Sequence, residues 1–176
     1  MIVAYFLSLV DRLTRAGAVM AAAVVVAMLG HILLEIVLRS VFNTSTYVLD
    51  EFVGYGVAAS TFLGLGYTLK DGGLIRVSLV LARIRNRAMR QLVELLCIVA
   101  CFSLFALIWA NFWNSIVRNW TRGAVSETVA EVPMWIPEGL LLLGLTIFLL
   151  QLLAYAIRVV KGQPMLGENT TAASAE

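Results

Sequence analysis

The chain has 176 residues, of which 61% are hydrophobic and only 14% are charged, and its formal net charge is +2. So few charged residues cannot cover the surface of a soluble domain of this size, and the composition therefore indicates an integral membrane protein. The small net charge argues against binding to nucleic acid, and a single histidine, His31, cannot supply both axial ligands of a haem.

The first 15 residues predict a short amphipathic helix. Polar side chains fall on one helical face and apolar side chains on another, at Ser8, Asp11, Arg12 and Arg15 and at Ile2, Phe6, Leu9 and Leu13 respectively. A helix of this kind lies in the membrane interface. The alternative is a cytoplasmic helix that packs on the rest of the protein.

Four apolar stretches are each long enough to cross a bilayer, which takes about 20 residues. They are Ala16–Leu38, Val48–Leu69, Leu92–Ile116 and Met134–Ile157. Because lipid cannot satisfy open backbone groups, all four are expected to be helices, and the predicted fold is an all-α integral membrane protein. Residues 16–161 form the predicted four-helix transmembrane domain.

The segment between the second and third spans predicts a second interfacial stretch. Residues Leu74–Ile84 are apolar but too short to cross the membrane, and a basic cluster follows them. Arginines in and after this stretch are expected to contact lipid headgroups, namely Arg76, Arg83, Arg85, Arg87 and Arg90. The small and polar residues 162–176 are expected to form a disordered tail.

The distribution of lysine and arginine predicts the orientation of the chain. With four spans, both termini and the loop between the second and third spans share one side of the membrane. That side carries ten of the basic residues, whereas the other carries three, Arg39, Arg118 and Arg122. Because basic residues are concentrated on the cytoplasmic side, both termini are expected to be cytoplasmic.

Two adjacent acids, Asp50 and Glu51, stand at the start of the second span. Residues 44–46 just before them are hydroxyl residues suited to capping a helix. Glu35 and Arg39 lie one helical turn apart at the end of the first span, and a short loop brings Arg39 close to the second. We expect these four residues to form a structural charge cluster in which Arg39 neutralises Glu51. The alternative is that the acids bind a transported cation.

The remaining polar residues within the spans have local explanations. Glu138 follows two prolines and suits a helix start, and Glu94 lies four residues from Arg90, as in a surface ion pair. His31 suits a hydrogen bond between helices or, alternatively, a proton relay. No nucleophile triad, phosphate loop, metal-ligand spacing or dinucleotide fingerprint is present in the sequence, so neither an enzyme nor a cofactor is predicted.

The order and spacing of several short motifs resemble a known family. Arg39–Phe52 reads R-S-V-F-N-T-S-T-Y-V-L-D-E-F, Phe62–Gly64 reads F-L-G, and Lys70–Val77 reads K-D-G-G-L-I-R-V. With Ile136–Pro137 before the last span, they resemble the small membrane subunit (DctQ type) of tripartite ATP-independent periplasmic (TRAP) transporters. The family's usual histidine, tryptophan and acid are replaced by Leu74, Val48 and Ser78.

The resemblance implies a non-enzymatic scaffold in the bacterial inner membrane. It implies two partners, a large multi-span membrane subunit that carries substrate and a periplasmic substrate-binding protein that captures an organic acid. It also implies that a sodium gradient drives uptake. The outer loops would help to dock the soluble protein, through Asn43, Thr44, Arg118, Arg122 and Glu127.

Two alternatives are compatible with the residues alone. One is a small oligomeric ion-coupled transporter that acts by itself, with the acids as its ion site. The other is a membrane subunit of a respiratory complex, against which the single histidine argues.

Overall fold

The computed structural model describes residues 2–71 and 87–161. Four helices make up 86% of the described residues: α1 (Ile2–Phe42), α2 (Leu49–Lys70), α3 (Arg87–Arg122) and α4 (Trp135–Val160). All four are long and apolar enough to cross a membrane, and the described part contains no strand. The predicted all-α fold with four transmembrane helices is therefore confirmed.

Helix α1 is continuous through the boundary expected near residue 16, and its 41 residues extend about 60 Å. That length is about twice the thickness of the hydrocarbon core. Val10 and Thr14, in its N-terminal part, are buried. The first part of α1 therefore packs on other helices of the protein, while the predicted interfacial position of residues 1–15 stays a prediction. The second predicted interfacial stretch, at Leu74–Ile84, and the tail at 162–176 lie outside the described residues.

Helix α4 occupies the centre of the bundle. It packs against α1, α2 and α3, while α1 also packs along α2. The largest apolar cluster joins α4 to its neighbours and consists of Leu69, Ile98, Leu145, Phe148, Leu152, Tyr155 and Val159. The other faces of α1 and α3 remain exposed, as expected where helices meet lipid or another membrane protein.

Glycines bring α2 and α4 into close contact. An added Cβ at Gly144 would lie 2.6 Å from the carbonyl carbon of Phe62 and 2.7 Å from the backbone nitrogen of Leu63. Gly66 of α2 likewise faces Ile147 of α4. In membrane helices, where burial in lipid provides little drive for association, such close packing is a main source of stability.

Candidate functional site

One end of the bundle carries the α1–α2 and α3–α4 loops, and we call it the outer end after its predicted orientation. Glu35 is the most highly connected carboxylate there among the described residues. It is 2% exposed, and it accepts hydrogen bonds from the backbone N–H of Thr46 at 3.0 Å and the Thr46 hydroxyl at 2.7 Å. The Ser45 hydroxyl also donates to it, and Arg39 donates from Nε at 2.8 Å. Glu35 therefore fixes the α1–α2 loop, residues 43–48, to the end of α1.

The loop reaches Glu35 because the chain turns sharply at two residues. Asn43 and Tyr47 have positive φ angles of 50° and 59°, which end α1 and set the direction of α2. Asparagine adopts this left-handed conformation more readily than most residues. The turn directs the hydroxyls of Ser45 and Thr46 towards α1, where they bind Glu35, and α2 begins without a side-chain cap. The expectation that residues 44–46 cap α2 was therefore wrong.

The expected ion pair between Arg39 and Glu51 is also wrong. Arg39 pairs with Glu35, one turn earlier on the same helix, and its side chain is 63% exposed. Glu51 instead accepts hydrogen bonds from the Tyr55 hydroxyl at 2.7 Å and from the Thr128 hydroxyl. The physical reason is that the first turn of α2 directs Glu51 to the α3–α4 loop, residues 123–134. Asp50 is exposed in the same turn.

The α3–α4 loop is itself well ordered by hydrogen bonds. The backbone N–H of Ser126 donates to the Val132 carbonyl at 2.9 Å, and that of Met134 donates to Ala124 at 3.0 Å. Glu131, with a φ of 44°, closes the turn between them. The bond from Thr128 to Glu51 joins this loop to α2, so both outer loops are attached to the helix bundle through carboxylates.

Glu138 lies in the first turn of α4, as predicted. It also accepts hydrogen bonds from Ser115 at 2.9 Å and from the Asn119 amide at 2.9 and 3.0 Å. Both partners are on α3, so this carboxylate links the outer ends of α3 and α4.

The residues expected to dock a soluble partner lie at this same end of the molecule. Asn43 and Thr44 are exposed in the α1–α2 loop, where they line an open depression of about 530 Å³. Arg118 and Arg122 are exposed at the end of α3, and Glu127 is exposed in the α3–α4 loop. The structure therefore brings the two loops to one surface. Their contact with a soluble partner stays a prediction.

At the inner end, Asp11 of α1 forms ion pairs with two other helices. Arg158 of α4 approaches its two carboxylate oxygens at 2.9 and 3.0 Å, and Lys70 of α2 lies 3.6 Å away. Close by, the Thr14 hydroxyl donates to Oε1 of Gln151 at 3.1 Å, and both side chains are fully buried. Sequence analysis missed both contacts, although Asp11 was noted as part of a polar face.

Glu94 differs from expectation because it is buried, with 7% exposure, and accepts a hydrogen bond from the Tyr155 hydroxyl. Of the arginines expected to contact lipid headgroups, Arg76, Arg83 and Arg85 lie outside the described residues. Arg87 is described by its backbone alone, and Arg90 is partly buried at the inner end of α3. Their contact with lipid stays a prediction.

An apolar pocket of about 280 Å³ separates the outer halves of α1, α2 and α4. His31, Phe52, Tyr55 and Pro137 are among the side chains that line it. The His31 ring lies 5.8 Å from that of Phe52, and its Nε2 is buried with no hydrogen-bond partner among the described residues. The expected hydrogen bond between helices is therefore not formed by Nε2.

The carboxylates of Glu35 and Glu51, at the outer end of the bundle, are held by hydrogen-bond donors. No group of three or more histidine, cysteine or acidic side chains within residues 2–71 and 87–161 is placed to hold a metal ion. The oxygens of Glu35 and Glu51 face hydroxyl, N–H and guanidinium donors. These donors stabilise the carboxylates as links between chain segments.

The four apolar helices and the polar links at both ends define a multi-pass membrane protein. Residues 28–162 match the model of the family described as "Tripartite ATP-independent periplasmic transporters, DctQ component". The match covers most of the chain, and the protein therefore belongs to this family. Its members are components of transporters and are not enzymes. No curated protein and no solved structure matches the chain.

Proposed function

We propose that this chain is the scaffold subunit of a sodium-driven uptake system for organic acids in the bacterial inner membrane. In this proposal it holds a large transport subunit in the membrane and helps a periplasmic substrate-binding protein to dock. The observation that best supports the proposal is the family match over residues 28–162. The second support is that Glu35 and Glu51 bind donors from the outer loops.

The outer loops are the proposed contact for the soluble protein. In this proposal they face the periplasm, which the excess of basic residues on the side of the termini supports. The two loops are joined to the bundle by Glu35 and Glu51, so a docked protein would meet a surface whose shape is already set. Preorganised surfaces of this kind lose less conformational entropy on binding.

Uptake by whole cells tests this proposal. Cells that lack this subunit but retain the other two components should take up little substrate, and the wild-type chain should restore uptake in the presence of sodium. The double variant Arg118→Glu, Arg122→Glu should lower uptake about tenfold, because it reverses two charges on the docking surface.

The matched control reverses two exposed arginines at the other end of the molecule, Arg12→Glu and Arg15→Glu. These changes should leave docking intact, as measured by the binding of the purified soluble protein to the purified membrane complex. Full uptake by cells without this subunit would refute the scaffold function. Unchanged docking in the outer double variant would refute the docking surface alone.

A further inference from the structure

The face of α3 that points away from the bundle carries three polar side chains and a leucine. Ser103, Leu107, Asn111 and Asn114 are all exposed and follow one another at intervals of four, four and three residues. This spacing places them on one side of a helix. The opposite side of α3 packs against α4 through Ile98, Phe105 and Trp109. We refer to the four exposed residues as the α3 outer face.

Contacts of neighbouring residues place this face at membrane depth. The ring of Phe112, next to Asn111, lies 6.3 Å from the ring of Phe62 on α2. Phe62 lies 13 residues from the outer end of α2 and 8 from its inner end, or about 20 Å and 12 Å along the helix. Asn111 is therefore well inside the span, and Asn114 is one turn nearer the outer end.

Within the described part of the chain, the amides of Asn111 and Asn114 are not fully hydrogen-bonded. An asparagine side chain has two N–H donors and a carbonyl acceptor. Asn111 uses one donor on the Leu107 carbonyl, at 2.9 Å, and within the described residues it makes no other side-chain hydrogen bond. Asn114 makes no side-chain hydrogen bond in the same part of the chain. Hydrocarbon offers no partner for these groups, so their exposure to lipid is costly.

The exposed surface of α1 provides a contrast. Between residues 16 and 38, every exposed side chain of α1 belongs to alanine, valine, leucine, isoleucine, methionine or glycine. On α2, the exposed hydroxyl of Thr61 is satisfied by the Val57 carbonyl at 2.7 Å. Lipid is an adequate environment for those surfaces. It is not adequate for the α3 outer face, whose amides need donors and acceptors from another protein.

We propose that the α3 outer face binds a transmembrane helix of the large membrane subunit, with Asn111 and Asn114 forming hydrogen bonds to that helix. The inference rests on the proposed function for the identity of the partner. Polar side chains between membrane helices commonly form such bonds, and each one strengthens association about threefold. Exposed Ala100 and Ala110, on the same side of α3, allow the partner helix to approach closely.

Site-specific photo-cross-linking in the complete complex tests the assignment. A photoreactive amino acid replaces Leu107 on the α3 outer face, 67% exposed, or Leu33 on α1 as the matched control, 55% exposed. We expect an adduct with the large subunit from position 107 and none from position 33. Adducts from position 33 alone, or equally from both positions, would overturn the proposal. An adduct from position 107 with lipid, with the soluble protein or with a second copy of this chain would also overturn it.

A pair of variants provides the second measurement. Asn111→Leu with Asn114→Leu should lower the amount of large subunit that co-purifies about tenfold, because two hydrogen bonds are lost, while the melting temperature of the isolated chain stays the same or rises. Unchanged co-purification would refute this interface, but it would leave the large subunit as the partner of the chain. If the wild-type chain retains no large subunit at all, the proposed function itself has failed.

Discussion

At the scale of single residues, the carboxylates near the ends of the spans bind hydroxyl and amide donors of neighbouring segments. Glu35 holds the α1–α2 loop, Glu51 the α3–α4 loop, Glu138 the end of α3 and Glu94 the Tyr155 hydroxyl. Hydrogen bonds to an ionised acceptor are about twice as strong as neutral ones. Such bonds fix loops and helix ends where apolar contacts are few.

The first prediction concerns the relative importance of Glu35 and Arg39. Glu35→Ala should lower the melting temperature of the purified chain in detergent by on the order of 5 °C, because it leaves the donors of Ser45 and Thr46 without their acceptor. Arg39→Ala should have a much smaller effect, since the arginine is 63% exposed and Glu35 keeps its other donors.

Asp50→Asn is the matched control, because Asp50 is an exposed acid at the same end of the bundle. It should leave the melting temperature within about 1 °C, as surface substitutions usually do. An equal decrease of the melting temperature in Glu35→Ala and Arg39→Ala would contradict the view that hydroxyl and backbone donors, and not the arginine, are the main partners of Glu35.

The sequence contained part of this arrangement. Glu35 and Arg39 are four residues apart, which is the spacing of a local helical pair, and they do pair. The assignment of Arg39 to Glu51 failed because the direction of the loop depends on two positive φ angles, at Asn43 and Tyr47. Tyrosine carries no sequence signal for that conformation, so the partner of Glu51 was not predictable from the residues near it.

At the scale of helices, hydropathy predicted the existence and order of all four elements. It predicted helices that are shorter than those in the structure. A helix continues into water for as long as its backbone bonds and packing support it, whereas hydropathy reports only the apolar stretch. The inner part of α1 is the clearest case, with Asp11 and Thr14 packed against α4. Predicting those contacts requires knowledge of which helices are neighbours in space, and periodicity alone does not supply it.

The second prediction tests the close approach of α2 and α4. Gly144→Ala should destabilise the chain by about 1–3 kcal/mol, because the new methyl group would overlap the backbone at Phe62 and Leu63 and force the helices apart. The change should appear as a lower midpoint of thermal unfolding, monitored by circular dichroism in detergent.

Gly139→Ala is the control on the same helix, since nothing lies within 4 Å of an added Cβ there. It should be neutral or stabilise α4 by up to about 1 kcal/mol, because alanine favours a helix more than glycine. If both variants destabilise the chain equally, the loss of stability arises from the glycine-to-alanine change within α4 and not from the packing of α4 on α2.

At the scale of the whole molecule, polar links lie at both ends of an apolar bundle. Asp11 with Arg158 and Lys70 joins three helices at one end, while Glu35, Glu51 and Glu138 fix the segments at the other. Between them the helices meet mainly through apolar side chains and glycines, with one hydrogen bond from the Trp109 indole to Thr146. This division matches a membrane environment, in which charged groups are tolerated near the interfaces and apolar contacts fill the middle.

The third prediction concerns the orientation of the bundle. The excess of basic residues on the side of the termini predicts that the end with Asp11 faces the cytoplasm and that both outer loops face the periplasm. Single cysteines introduced at exposed positions can report which side of the membrane each end of the bundle faces. Suitable sites are Thr44 in the α1–α2 loop, Val129 in the α3–α4 loop and Tyr5 at the inner end of α1.

The labelling experiment begins from a variant without the native cysteines, Cys97→Ala with Cys101→Ala, because both are free and exposed. On intact spheroplasts, an impermeant maleimide should modify Thr44→Cys and Val129→Cys, and it should modify Tyr5→Cys only after the membrane is opened. Val129 is 80% exposed and Tyr5 75% exposed, so accessibility within the chain does not account for a difference between them. Labelling of Tyr5→Cys alone on sealed spheroplasts would reverse the orientation. It would also place the docking residues on the wrong side of the membrane for a periplasmic partner.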